Sequence, residues 1–163
     1  MRSVLEQVPS EMRHILDQYD WAVGQGYIEK GVRNIMWGQL ERGRNHLVRA
    51  AGSGASVQRP FLNELVAHLL NYEAEFGSEA AQNVLHNLTR ELERVSERDD
   101  LQYLSGLYFV NSAFRDYRKG QYKETLPNVI KAVISDKSYL ADRGVLALLS
   151  RSMLKSPLQI LKK

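Results

Sequence analysis

Cysteine is missing from the whole of this 163-residue chain. Its absence excludes a disulfide framework, a zinc–thiolate centre, an iron–sulfur cluster and a cysteine nucleophile. It also suits a reducing, cytoplasmic setting. No run of about 18 apolar residues occurs, so no segment is expected to span a bilayer. Met1 to Ser10 carry Arg2 but no apolar stretch, which does not read as a secretory signal. Alternation of apolar and polar residues bounded by turn signals is missing, so no strand is expected. The chain has no Walker-type glycine loop, no Gly-x-Ser-x-Gly elbow and no His-Glu-x-x-His pair.

What remains is ordinary for a globular protein: 44% hydrophobic and 25% charged residues. A domain of about 150 residues buries roughly two-thirds of its unfolded surface, so the core needs no metal or disulfide staple. Charge is unevenly placed. Residues 1–60 hold 8 Lys/Arg and 6 Asp/Glu, residues 61–100 hold 3 and 9, and residues 101–163 hold 11 and 4. A solvated helical surface accounts for such charges in general. The acidic middle and basic end also admit a basic face that docks on an acidic partner or an anionic surface.

Apolar residues recur at helical spacing almost throughout. Ser10 is placed to cap a first helix through Ile15, Leu16, Tyr19 and Val23, which Gly24 and Gly26 then break. Ile28, Val32, Ile35, Met36 and Leu40 form the stripe of a second helix, from about Tyr27 to Ala51. Gly31, Gly38 and Gly43 lie within it, so it is either two shorter helices or one helix whose glycines permit close packing. Residues 52–56 are the clearest loop and a candidate mobile segment. Pro60 suits the first turn of a third helix over Phe61–Phe76. Gly77 ends that helix, and Ser78 caps a fourth whose buried face is Val84, Leu85, Leu88, Leu92 and Val95. Asp99 or Asp100 caps a fifth helix, which Gly120 stops. A sixth spans Tyr122–Ser135, and Pro127 either kinks it or lies in its first turn. A seventh covers Ser138–Leu154, ended by Ser156-Pro157, and leaves 158–163 as a frayed tail after a single helical domain over 1–157.

Candidate chemistry is sparse. Glu64 and His68 share a helix face, which reads as a surface contact and not as a metal site. Asp17 and Asp20 also share a face, and Asp99-Asp100 reads as a cap. These give no catalytic, cofactor or metal residue. Arg115, Arg118, Lys119 and Lys123 gather round a turn beside Tyr117 and Tyr122. Cations beside aromatics can hold a nucleic acid, although both tyrosines also fit hairpin packing positions, and packing is the favoured reading.

Residues 106–139 span 34 positions and resemble a tetratricopeptide repeat. Phe109 takes the large aromatic position. Ala113 and Ala132 take the small positions of the two helices, Tyr117 the later aromatic position and Gly120 the turn before Tyr122. Thr125 replaces the usual alanine, and Lys137 stands where proline usually ends the unit. Trp37 to Gly43 echoes the spacing of Phe114 to Gly120. The resemblance implies stacked antiparallel helix pairs, because each hairpin has a face that only a neighbour can cover. A generic helical bundle is the alternative.

A second resemblance runs from Phe109 to Leu154. It rests on Tyr117-Arg118-Lys119-Gly120-Gln121-Tyr122, on Ile130-Lys131-Ala132, on Asp136-Lys137-Ser138-Tyr139-Leu140, and above all on Arg143-Gly144-Val145-Leu146. This stretch resembles the helical segment after the catalytic domain of bacterial family 2 glycosyltransferases, cyanobacterial ones included. In those enzymes an α/β domain holds the nucleotide-sugar, usually through Asp-x-Asp. This chain has no Asp-x-Asp, so no catalytic residue carries over. The resemblance implies either an excised accessory domain or a free-standing protein of the same helical type. Gly144 would admit a neighbouring backbone and Arg143 would bond helix-end carbonyls, or Asp142 simply caps a helix start.

Together these features predict an all-α protein of stacked helix pairs, tetratricopeptide-like, that is non-catalytic and needs no cofactor. Its expected role is protein–protein contact, with a glycosyltransferase catalytic domain as the implied partner. A free-standing adaptor for a protein segment is the alternative, and a helical nucleic-acid binder a further one. The residues expected at the partner surface are Tyr117, Arg118, Lys119, Tyr122 and Arg143.

Overall fold

A computed structural model describes residues 10–160. Seven α-helices and one short 3-10 helix account for nearly all of them, and no strand occurs among the described residues. The chain gathers into two compact units. One holds the chain up to Val57 together with Arg90–Ser96; the other holds Gln58–Thr89 and the chain from Glu97 onward.

In the first unit, α1 (Ser10–Met36) and α2 (Leu40–Gly52) form a hairpin. The helix does not break at Gly24 and Gly26; it runs through both. A helical glycine costs only about 1 kcal/mol, and Gly24 makes room for the loop: a methyl group there would collide with Ser53 and Ala55. The break comes at Gly38, whose φ of +76° favours glycine. Of the two alternatives for the glycine-rich stretch, division holds and a single undivided helix does not, although its glycines do permit close packing. The predicted second helix is divided, and Gly31 and Gly43 meet where α1 and α2 cross. A Cβ on Gly43 would lie 2.8 Å from the Gly31 carbonyl oxygen and 2.5 Å from Ile35.

Ile28, Val32, Ile35, Leu47 and Ala50 fill this crossing. The loop after α2 is anchored. Ala55 and Val57 are buried, the Val57 N–H donates to the Val95 carbonyl (2.9 Å), and the Gln25 amide donates to the Ser56 carbonyl (2.9 Å). Glu91 is buried in this unit at 1% exposure, between arginines. Arg44 grips it with two donors, Nε to Oε2 (3.0 Å) and Nη2 to Oε1 (2.9 Å), while Arg90 and Arg94 approach at 3.2 and 3.5 Å. The Arg44 hydrogen bonds lead in holding its carboxyl down at about 2, against the opposing effect of burial.

In the second unit, α3 (Arg59–Phe76), α5 (Arg98–Arg118), α6 (Tyr122–Ser135) and α7 (Arg143–Ile160) pack in succession, with the first part of α4 (Ser78–Leu92) in the same unit. Pro60 lies in the first turn of α3, as expected, and Gly77 ends that helix at φ +89°. Ser78 is the first residue of α4, and its hydroxyl accepts from Gln82 (2.8 Å). Asp99 and Asp100 are not caps. Glu97 precedes the helix, and the two aspartates lie in its first turn, where they favour the helix dipole. Pro127 stands one turn inside α6, past the first turn. A 3-10 helix, Lys137–Ala141, takes the place of the predicted start of α7. That helix starts at Arg143 and continues through Ser156-Pro157 to Ile160. The expected tail thus begins inside a helix, and residues 161–163 lie outside the described residues. Ile15, Leu16 and Asp17 lie outside the residues whose side chains are described.

Residues 106–139 do form a helix hairpin. Its core holds Val110 and Ala113 from α5, Val129 and Ala132 from α6, and Val145 and Leu148 from α7. Both alanines are fully buried, so the helices approach closely at the two positions where the sequence is small.

Three outcomes follow. Gly43→Ala should lower stability by about 1–3 kcal/mol, because the Gly31 carbonyl cannot yield as a flexible side chain can. Gly26→Ala, which meets nothing within 4 Å, should raise it by about 0.5–1 kcal/mol in the same denaturant titration. Glu91 titrates in the unfolded chain near the ordinary value of about 4.3, so its folded pKa is depressed. Its contribution is complete above that value and is lost as pH falls toward about 2. The gap in Tm between the native chain and Glu91→Gln should accordingly shrink over that interval.

Candidate functional site

The third helix carries its apolar side chains at Leu62, Leu65, Val66 and Leu69. Glu73 continues that stripe one turn later and is buried with it. A lone buried carboxylate costs several kcal/mol unless it is paired and hydrogen-bonded. Helix α5 supplies the partners from one face, at positions 108, 112 and 115. Tyr108 Oη and Ser112 Oγ donate to Glu73 Oε2 at 2.9 and 3.0 Å, and Arg115 Nη2 meets Oε1 at 2.6 Å. Arg115 Nη1 also donates to the Leu70 carbonyl (3.2 Å), which fastens the guanidinium to the same turn of α3. Burial is the largest single influence on Glu73 and pushes its pKa up. The hydrogen bonds and charge from Arg115, Tyr108 and Ser112 together outweigh it and hold the carboxyl below its ordinary value. Burial, then the Glu73 charge, drive the Tyr108 phenol well above its ordinary value.

Asp116 follows Arg115 and faces α6, where Asn128 Nδ2 donates to its Oδ2 (2.9 Å). Burial pushes Asp116 up; the Asn128 amide and the Arg115 charge oppose this without cancelling it. Arg115 Nε is buried without a hydrogen-bond partner, 3.8 Å from Asp116 Oδ1. One residue pair at the end of α5 thereby ties α3 on one side and α6 on the other.

Two clefts open beside this junction. One, of about 480 Å³, is floored by Glu73, Arg115, Asp116 and Asn128 and rimmed by Lys119, Lys123 and Lys131. Glu73, Arg115 and Asp116 are engaged with one another there, and Lys131 donates to Gln82 (2.7 Å). The other, of about 560 Å³, is lined by Leu70, Asn111, Phe114, Arg115, Arg118 and Lys119. Three cations stand there over an apolar floor, with no carboxylate among the described lining residues.

The five residues expected at the partner surface separate into three places. Arg118 and Lys119 are exposed and stand together on the wall of the cationic groove. Tyr117 and Tyr122 meet edge to face, centroids 5.2 Å apart, and Lys155 of α7 covers both rings at 5.3 and 5.0 Å. Its ammonium also reaches both hydroxyls at 3.4 Å, and these contacts raise its pKa. The tyrosine pair thus latches the turn of the hairpin to α7. Arg143 is exposed at the start of α7. Asp142 caps that helix through the Gly144 and Val145 N–H groups (2.7 and 3.0 Å). A Cβ on Gly144 would lie 3.0 Å from the capping Asp142 Oδ1 and in ordinary contact, 3.5 Å, with the Phe114 ring. The tight neighbour of the glycine is thus its own capping carboxylate, not the backbone of another helix.

Sequence reasoning missed Leu70, Phe114 and Glu73 as parts of this region. The available signal was a charged residue in register with an apolar stripe. No group of His, Cys, Asp or Glu residues able to hold a metal occurs among the described residues. No protein-family model matches the chain, and neither a curated protein nor a solved structure matches it.

Tyr108→Phe removes a donor to a buried charge and should cost about 1.5–3 kcal/mol in urea denaturation. Tyr103→Phe, whose hydroxyl meets Asn63 at the surface (2.7 Å), should change stability by less than about 0.5 kcal/mol.

Proposed function

We propose that this chain is a non-catalytic helical interaction domain that docks an acidic protein segment in the groove between α3 and α5. The observation that carries this reading is the groove's composition: Arg115, Arg118 and Lys119 over Leu70 and Phe114. A segment that places a carboxylate beside Arg118 and Lys119 and an apolar side chain on the floor satisfies both. Arg115 is held in place by Glu73 and the Leu70 carbonyl, so one cation is preorganised before the partner arrives.

A tetratricopeptide-like stack of helix pairs is part of the proposal. Its support is the hairpin over 106–139 with Ala113 and Ala132 at the close approach, together with α7 packed on both helices of that hairpin. We propose further that the partner is a glycosyltransferase catalytic domain or a protein acting with one. The support for that association is the sequence resemblance over Phe109–Leu154. An adaptor working apart from any such enzyme would use the same groove. Nucleic-acid binding gains nothing from the tyrosines, because Tyr117 and Tyr122 pack against each other under Lys155 and offer no open stacking platform.

The test is fluorescence anisotropy with a labelled peptide that carries glutamates on both sides of a leucine. Binding should weaken as salt rises. Arg118→Glu with Lys119→Glu should weaken it at least about tenfold and leave Tm unchanged, since both side chains are exposed. Equal binding by the double variant contradicts the proposal. Unfolding of the double variant contradicts it too, because the two side chains would then be structural.

A further inference from the structure

We propose that the outward face of α7 is a docking surface for an anionic lipid bilayer. The inference is independent of the groove between α3 and α5. Helix α7 buries Val145, Leu148 and Ser152, which recur at helical spacing and face α5 and α6. The solvent-facing arc carries Leu146, Met153 and Leu154, exposed at 42, 58 and 74%. Leu146 and Met153 are seven residues apart, two turns along one stripe. Arg143 and Arg151, both exposed, stand one turn before Leu146 and one turn before Leu154 on the solvent-facing side. Leu140 on the preceding 3-10 helix adds a further apolar side chain, exposed at 55%, and Lys137 a further cation.

Charge favours an anionic occupant. After Asp142 the sequence has no Asp or Glu, whereas it has Arg143, Arg151, Lys155, Lys162 and Lys163. The Asp142 carboxylate is committed to the α7 N-terminus. Lys155 is engaged with Tyr117 and Tyr122 on the inner flank, which leaves Arg143 and Arg151 as the outward cations of the described helix. Geometry decides between a bilayer and an acidic protein. A stable protein interface takes about 800 Å² from each partner, whereas the exposed large apolar side chains here are three on α7 and one on the 3-10 helix. A bilayer accepts a single helix lying in its interface, apolar side chains inward and cations at the headgroups. No helix among the described residues is long and apolar enough to cross a membrane, so α7 would lie on the surface.

The experiment is co-sedimentation of the full chain with mixed phosphatidylserine–phosphatidylcholine vesicles, with pure phosphatidylcholine vesicles as reference. The chain should sediment with the mixed vesicles and not with the reference, and salt should release it. Arg143→Gln with Arg151→Gln should weaken binding about twenty-five-fold, at roughly fivefold per cation near a charged surface. Met153→Ser with Leu154→Ser should weaken it at least about tenfold through lost apolar burial. Circular dichroism should show both variants folded, since every side chain changed is exposed. The proposal is overturned if the chain ignores the mixed vesicles, if it binds both kinds equally, or if either double variant binds undiminished. Capture of an acidic protein with no vesicle binding overturns it as well.

Discussion

The ion pair between Glu73 and Arg115 is the constraint on which the second unit depends. A carboxylate in the apolar stripe of α3 is tolerated only where donors surround it, and α5 offers Tyr108, Ser112 and Arg115 from one face. That requirement fixes the rotation and height of α5 against α3. It also draws Arg115 to the Leu70 carbonyl, beside the apolar floor that Leu70 and Phe114 make. The next turn of the same helix then carries Arg118 and Lys119 to the groove wall. The chemistry of the candidate site is thus a consequence of how a buried charge is neutralised.

The first unit solves a similar problem differently. Glu91 is buried among Arg44, Arg90 and Arg94, and the bidentate grip of Arg44 joins α2 to the Arg90–Ser96 stretch. Close backbone approach sets the rest, because Gly31 and Gly43 let α1 and α2 cross at a distance that side chains would forbid. Each unit thereby combines a nonspecific apolar core with buried carboxylates, Glu91 in the first and Glu73 and Asp116 in the second, that admit few alternative registers. Such polar groups serve specificity more than net stability.

The helices themselves were legible in the sequence, because each buries an apolar stripe at a period near 3.6 residues. Boundaries were less so. Gly24 and Gly26 read as a break, yet the loop packed against Gly24 outweighs the cost of helical glycine, and the chain turns at Gly38 instead. Asp99 and Asp100 read as caps, but any acidic residue near a helix start benefits from the dipole whether or not it is the cap. The start of α7 at Arg143 was visible in the Asp142-Arg143-Gly144 sequence, and the 3-10 turn before it was not.

Of the candidate site, Arg118 and Lys119 were legible as exposed cations after a buried helix face. Their apolar companions were not, since Leu70 comes from a helix nearly fifty residues earlier in the chain. Tyr117 and Tyr122 were legible as a pair but gave no hint of Lys155, which reaches them only once α7 has packed. Glu73 was hidden because a glutamate in an acidic stretch reads as solvated; only its register with Leu62, Val66 and Leu69 marks it. The most direct test of its role is a double-mutant cycle on unfolding free energy, combining Glu73→Gln and Arg115→Met. If this pair anchors α5 to α3, the two losses should be non-additive, with a coupling of about 1.5–3 kcal/mol. Additive losses would contradict the account.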